Sequence, residues 1–214
     1  MRMLMLGSAT AAVALALAPA TAQQDGYNPA TMTFFVTSTG MGDGGNLGGL
    51  EGADAHCQAL AAAAGAGDRT WVAYLSTEGE GGVNAGERVG AGPWVNATGV
   101  TIATDLAELH GENAIDKATA LTELGMIVNG RGDSPNVHDI LTGTLPDGTV
   151  AAGATCGNWT LATDDAAAMV GHHDLQGHPT TNFWNSSHES QSCSQAGVER
   201  FGGAGLFYCF AVAP

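Results

Sequence analysis

Apolar residues in this chain gather into short runs separated by glycine-rich stretches. Residues 32–38, including Phe34, Phe35 and Val36, are rich in β-formers and bounded by glycine, which predicts a first strand. Gly40, Gly42, Gly44, Gly45, Gly48, Gly49 and Gly52 make 40–52 a loop. Asp43, Asn46 and Glu51 within it lack the alternating ligand spacing of an EF-hand, so turn chemistry is their predicted role. Residues 53–64 are alanine-rich, with Cys57, Leu60, Ala61 and Ala64 on one face at helical spacing and Gly65 as a stop, which predicts a helix that buries Cys57. In 70–76, Trp71, Ala73 and Leu75 alternate with Val72 and Tyr74, the period of a strand.

The middle of the chain is less patterned. Residues 77–92 read as irregular, 93–97 and 100–103 as short extended pieces around an Asn-Ala-Thr-Gly turn, and 105–110 as a helical turn. A further short helical segment is predicted over 118–124. Arg131-Gly132-Asp133 is explained by a glycine-containing turn. Residues 139–144 are strand-like, 146–149 form a turn, and the apolar, aromatic run 205–212 predicts a strand lying centrally in a sheet. One helix near the start, short strands and long loops together indicate an α+β chain with an antiparallel sheet.

Composition adds a compartment. Residues 1–22 have the plan of a secretory signal: Arg2, an apolar stretch over 4–18, then Ala20-Thr21-Ala22 as a cleavage site before Gln23. Ser8, Thr10 and Pro19 interrupt that stretch, which disfavours a membrane anchor, and no membrane insertion is expected after signal removal. Residues 23–32 then form a mature N-terminal lead-in and 33–214 a single domain, secreted or periplasmic. Cys57, Cys156, Cys193 and Cys209 are an even set without zinc-ribbon or Cys-x-x-Cys spacing, so two structural disulfides are predicted, with three connectivities open. The 21 acidic residues against 6 Lys and Arg give a formal net charge of −15, which disfavours nucleic acid and anionic lipid as partners.

Asn46 through Cys57, Trp71 through Ser76, Asp139 through Gly143, Cys156-Gly157-Asn158-Trp159-Thr160, Ser192-Cys193 and Leu206-Phe207-Tyr208-Cys209-Phe210 stand in this order along the chain. Together they resemble the C-type lectin-like fold, in particular its endostatin-like branch. The resemblance implies nested disulfides, Cys57 to Cys209 and Cys156 to Cys193, with a long-loop region between the inner pair. It also implies departures. The Glu-Pro-Asn or Gln-Pro-Asp tripeptide of calcium-dependent sugar binding is absent, and Trp184-Asn185-Ser186 is a fragment of the segment that follows it. No histidine precedes His56 to build an endostatin-type zinc site, and cationic residues are too few for a heparin surface.

The chemistry-bearing residues concentrate between Cys156 and Cys193. His172, His173, Asp174, His178 and His188 are the candidate ligands for a divalent metal, imidazoles suiting zinc or copper. The alternative is one buried, hydrogen-bonded histidine with solvent-facing neighbours, since adjacent His172 and His173 point to different sides. Trp159, close to Cys156, reads as core, and Trp184 with Asn182, Asn185 and His188 as the candidate ligand surface. No Gly-x-Ser-x-Gly elbow, free cysteine or phosphate-binding loop supports catalysis. Asn96-Ala97-Thr98, Asn158-Trp159-Thr160 and Asn185-Ser186-Ser187 fit the glycosylation acceptor pattern. The expected function is non-enzymatic binding of an extracellular glycan or protein through the long-loop surface. A metal-binding or metal-dependent enzyme using His172, His173, His178 and His188 is the first alternative, and a structural or adhesive surface protein the second.

Overall fold

The computed structural model of the chain describes residues 25–177 and 183–212. The expected signal lies outside those residues, as do His178 and Asn182. In chain order the elements are β1 (Phe34–Val36), α1 (Gly49–Ala63), β2 (Thr70–Ala73), α2 (Ala85–Arg88), β3 (Trp94–Val95), β4 (Thr101–Ala103), α3 (Leu106–Leu109), β5 (Asp139–Leu141), α4 (Cys156–Trp159), β6 (Met169–His172), β7 (His188–Glu189), α5 (Gln195–Arg200) and β8 (Gly203–Val212).

The architecture is a mixed α/β arrangement organised on β8, as the apolar run at the end of the sequence indicates. One edge of β8 pairs with β1, Phe35 standing opposite Cys209. Its other edge pairs antiparallel with β2 near Val212 and parallel with β5 near Gly203, and β6 and β7 continue the sheet beyond β5. The sheet is therefore mixed, not antiparallel throughout as the sequence suggested. The parallel pairing arises because the chain makes a long excursion between β5 and β8, and local patterning carries no record of strand direction.

Alternation along β8 sorts side chains to two layers. Phe207, Cys209 and Ala211 join Phe35, Trp71 and the Ala53, Cys57 and Ala61 face of α1. Leu206, Tyr208 and Phe210 join Phe34, Tyr74, Trp94 and Trp184 on the other side. Phe34, Phe35, Phe207 and Phe210 are fully buried, and each contributes about 1.5–3 kcal/mol by leaving water. Small Ala53 and Ala61 bring α1 close enough for Cys57 to bond Cys209, and the second disulfide joins Cys156 to Cys193. Both pairs are those implied by the family resemblance. Disulfides of this kind suggest an oxidising extracellular or periplasmic environment. No helix among the described residues is long and apolar enough to cross a membrane.

Three local outcomes differ from expectation. Helix α1 starts at Gly49, four residues before the predicted start, because Gly48 (φ 70°) and Gly49 (φ 72°) take the left-handed turn that leads into it. Residues 118–124 are not helical. Asp116 Oδ1 accepts from the backbone N–H of Ala118 and Thr119, closing a turn, and Thr122 then bridges in parallel to Val36. Finally, α4 is a left-handed turn, with φ of 46°, 59°, 56° and 66° from Cys156 to Trp159. A left-handed conformation costs about 1–2 kcal/mol per non-glycine residue. The Cys193 disulfide, the Trp159 indole donating to Ser76 O at 2.8 Å and the Asn158 side chain bridging the Glu78 backbone hold it.

Candidate metal centre

Three consecutive sheet strands build the site. Asp139 is the first residue of β5 and stands opposite His172 at the end of β6, while His188 on β7 stands opposite Val170, two residues from His172. Because strand side chains alternate with period two, this register puts Asp139, His172 and His188 on one face of the sheet. His138 adds a third imidazole from just before β5, its ring stacked on that of His172 with centroids 4.1 Å apart. One glycine makes the close packing possible. A Cβ at Gly171 would lie 1.8 Å from Trp184 O, so only glycine lets β6 approach the 183–187 segment, where His172 N–H donates to Phe183 O.

The side chains converge on one carboxylate oxygen. Asp139 Oδ1 lies 3.2 Å from His138 Nε2, 3.2 Å from His172 Nε2 and 3.5 Å from His188 Nε2. None of these approaches has hydrogen-bond geometry, although Asp139 is 5 % exposed and its Oδ1 is buried. Donors on a tetrahedral ion at 2.0–2.1 Å are separated by about 3.3 Å, close to the separations of Asp139 Oδ1 from His138 Nε2 and His172 Nε2. One donor atom each from His138, Asp139 and His172 lies within 4.8 Å of the others, and these buried residues could hold a metal ion. Imidazole and carboxylate donors together suit zinc and its borderline neighbours better than calcium or magnesium.

Outer contacts orient two of the imidazoles. His138 Nδ1 lies 3.3 Å from Asp174 Oδ1, and His188 Nδ1 lies 3.0 Å from Glu189 O. Each contact places the proton on Nδ1 and leaves Nε2 as the lone-pair donor, the usual arrangement behind a metal-bound histidine. Asp174 is itself fixed, accepting from Arg131 N at 2.6 Å and Gln176 N at 3.0 Å.

Electrostatics follow from the crowding. Burial pushes the Asp139 carboxyl up, but polar contact with His172 and His188 and the nearby imidazole charges outweigh it, holding the group below the usual carboxylate range. His188 is raised from its ordinary value, chiefly by Asp139, against the effect of burial. Asp174 stays far below the carboxylate range: its burial is overcome by His138 and by the N–H groups of Arg131 and Gln176. A pocket of about 390 Å³ opens over the site, lined by His138, His172 and His188 together with Arg131, Asn136 and Phe201.

Of the residues singled out in the sequence, His172 and His188 enter the cluster and Asp174 supports it from outside. His173 does not join: it faces away, is fully buried and has no hydrogen-bond partner for either ring nitrogen, and burial lowers its pKa to about 4. The expected ligand surface at Trp184 is corrected by packing. Trp184 is 3 % exposed, its indole donates to Leu109 O at 2.9 Å, and it lies against Tyr74 and Tyr208. Asn185 is also interior, its amide donating to Tyr74 Oη, Leu145 O and Pro146 O. Asn96 and Asn185 are too buried to serve as glycosylation acceptors in the folded chain. His138 and Asp139 were missed. The available signal was a histidine and an acid at the mouth of an apolar strand, where a buried polar pair needs a reason.

A larger cavity, about 510 Å³, is lined by Asp164, Ser192, Ser194 and Arg200. Its carboxylate is already satisfied, Asp164 Oδ1 accepting from Ser194 Oγ at 2.5 Å and from Ser192 Oγ at 2.8 Å, so it lacks the convergence seen around Asp139. No protein-family model matches the chain, and no curated protein matches it.

Proposed function

We propose that the protein is an extracytoplasmic, non-enzymatic binding module of C-type lectin-like fold whose ligand pocket is floored by a divalent transition metal. The ligands are His138, His172 and His188 through Nε2 and Asp139 through Oδ1. The observation that carries this reading is the set of three Nε2 atoms at 3.2–3.5 Å around a buried carboxylate oxygen without hydrogen-bond geometry. His188 Nε2, 3.5 Å from Asp139 Oδ1, would draw in as the fourth protein donor and close the shell, as in sites that hold a metal for structure or binding rather than for turnover. Support for the lectin-like fold is the nested disulfide pairing and the adjacency of β1 and β8 in one sheet.

The test is metal analysis and calorimetry on protein purified without a histidine tag. Stoichiometric zinc, or uptake of added zinc, is expected, with a gain of about 2.7 kcal/mol in stability at a hundredfold excess over Kd. Asp139→Asn and His172→Ala lose both. If the native protein binds no metal and added zinc leaves its Tm unchanged, the centre is a metal-free charge cluster in which His188 neutralises Asp139, and this reading fails.

A further inference from the structure

The pocket over the cluster has a composition at odds with the rest of the molecule. In a chain of net charge −15, no carboxylate lines it among the described residues: the lining is Arg131, Asn136, three histidines, Gly177 and Phe201, with Asp139 buried behind the histidines. The other described cations are engaged or elsewhere. Arg69 donates to Met32 O and Ala30 O, Arg88 pairs with Asp54, Lys117 pairs with Asp133, and Arg200 lines the neighbouring cavity. The Arg131 guanidinium has no ion pair or hydrogen bond among the described residues, although its backbone N–H anchors Asp174. Its position is fixed to the site: a Cβ at Gly177 would meet Arg131 Nη1 at 3.0 Å and His172 Cε1 at 3.2 Å. Asn136 is placed in the same way, since a Cβ at Gly202 would meet Asn136 Nδ2 at 2.8 Å and His138 Nε2 at 3.5 Å. The Asn136 amide N–H groups are not used by any described residue, while its Oδ1 accepts from His138 N.

Two donors that need acceptors therefore flank the histidines, and the metal adds positive charge that one Asp139 carboxylate only half neutralises. Planar, forked donation from arginine matches a carboxylate. Phe201, 38 % exposed, supplies an apolar wall on which a ring can lie. A cavity of about 390 Å³ is the size of a small-molecule site.

We infer that the pocket binds a small ring-bearing carboxylate, an acidic sugar or an aromatic acid, with its carboxylate on Arg131 and Asn136 beside the metal and its ring against Phe201. This rests on the metal reading given above and specifies the ligand class of that same site.

Calorimetric titration of the zinc-loaded protein with glucuronate, benzoate, glucose, benzamide and inorganic phosphate tests it. Binding of glucuronate or benzoate is expected, with the neutral counterparts and phosphate at least tenfold weaker, and the stronger acid identifies which ring the pocket takes. Arg131→Gln keeps the backbone contact to Asp174, so zinc affinity stays the same while the acid binds about ten- to a hundredfold more weakly, the range for a hydrogen bond to a charged group. Phe201→Ala weakens the acid without touching zinc. Absence of zinc binding overturns the metal reading and this inference with it. Zinc binding with no affinity for either acid, equal affinity for phosphate, or unchanged affinity in Arg131→Gln overturns this inference alone.

Discussion

The two ends of β8 are built on different principles. Near Val212 the strand is flanked by β1 and β2 under α1, and Phe35, Trp71, Cys57 and Cys209 fill the space with apolar side chains and a disulfide. Near Gly203 it is flanked by β5, with β6 and β7 beyond, and there Asp139, His138, His172, His173 and Asp174 are buried. The first end is complete in itself: shape and apolar area account for it. The second buries ionisable groups that no apolar packing can satisfy, an arrangement that costs stability unless a partner charge is supplied. Stability is concentrated at one end of the strand and chemistry at the other.

Breaking the first end has the largest expected effect. Removing the Cys57 to Cys209 bond by paired alanine substitution frees a loop spanning 152 residues, and the chain-entropy estimate puts the loss at about 5 kcal/mol. Removing the Cys156 to Cys193 bond, across 37 residues, costs about 4 kcal/mol on the same estimate. Denaturant unfolding under non-reducing conditions measures both. A ranking in which the inner bond matters more would move the dominant constraint away from the Val212 end of β8 and undo the contrast.

The next effect is a pH dependence at the second end. His173 is held neutral by burial, with its pKa lowered to about 4 from the ordinary 6.5, so the unfolded chain takes up a proton more readily than the folded one. Stability is then full above about pH 6.5 and falls as pH drops towards 4, by about 3 kcal/mol in all. His188 works in the opposite sense: its raised pKa adds stability at low pH that is lost as pH rises through its folded value. Comparing His173→Phe with the parent chain isolates the first contribution, and the variant is expected to show a flatter stability profile between pH 6.5 and 4. An identical slope in both proteins would mean that His173 is not what the folded state keeps uncharged.

The smallest effect is on fine orientation. Asp174→Asn keeps the size of the side chain but weakens its hold on His138 Nδ1, and loss of such an outer contact lowers metal affinity about ten- to a hundredfold. Competition against a chromophoric chelator reads it directly. An unchanged affinity would make Asp174 a loop anchor for Arg131 and Gln176 only.

Legibility in the sequence follows the same divide. The alternation of β8, the alanine face of α1 and the β-rich run of β1 are local signals, and each element appears close to its predicted place. The candidate metal centre is non-local. Asp139 meets His172 only because β5 and β6 pair in that register, and the local sequence around either residue does not specify that pairing. The separation of His172 from His173 was legible from strand alternation, while the partner that replaces His173, His138, lies in a stretch with no marked pattern. Trp184 misled because it sits among polar residues, yet aromatic contacts with Tyr74 and Tyr208 bury it from distant parts of the chain. Its neighbours in sequence were a poor guide to its neighbours in space.

The length of β8 carries a practical consequence. Ten residues of extended chain from Gly203 to Val212 cover about 30 Å. Asp139 pairs at the first of them, and Thr70 pairs at the last. A dye, a surface tether or a fused reporter attached beside Val212 would therefore stand a full strand's length from the histidines, joined to them by continuous backbone. Labelling there allows metal uptake and the pocket to be tested by energy transfer or immobilised titration without altering what is being measured.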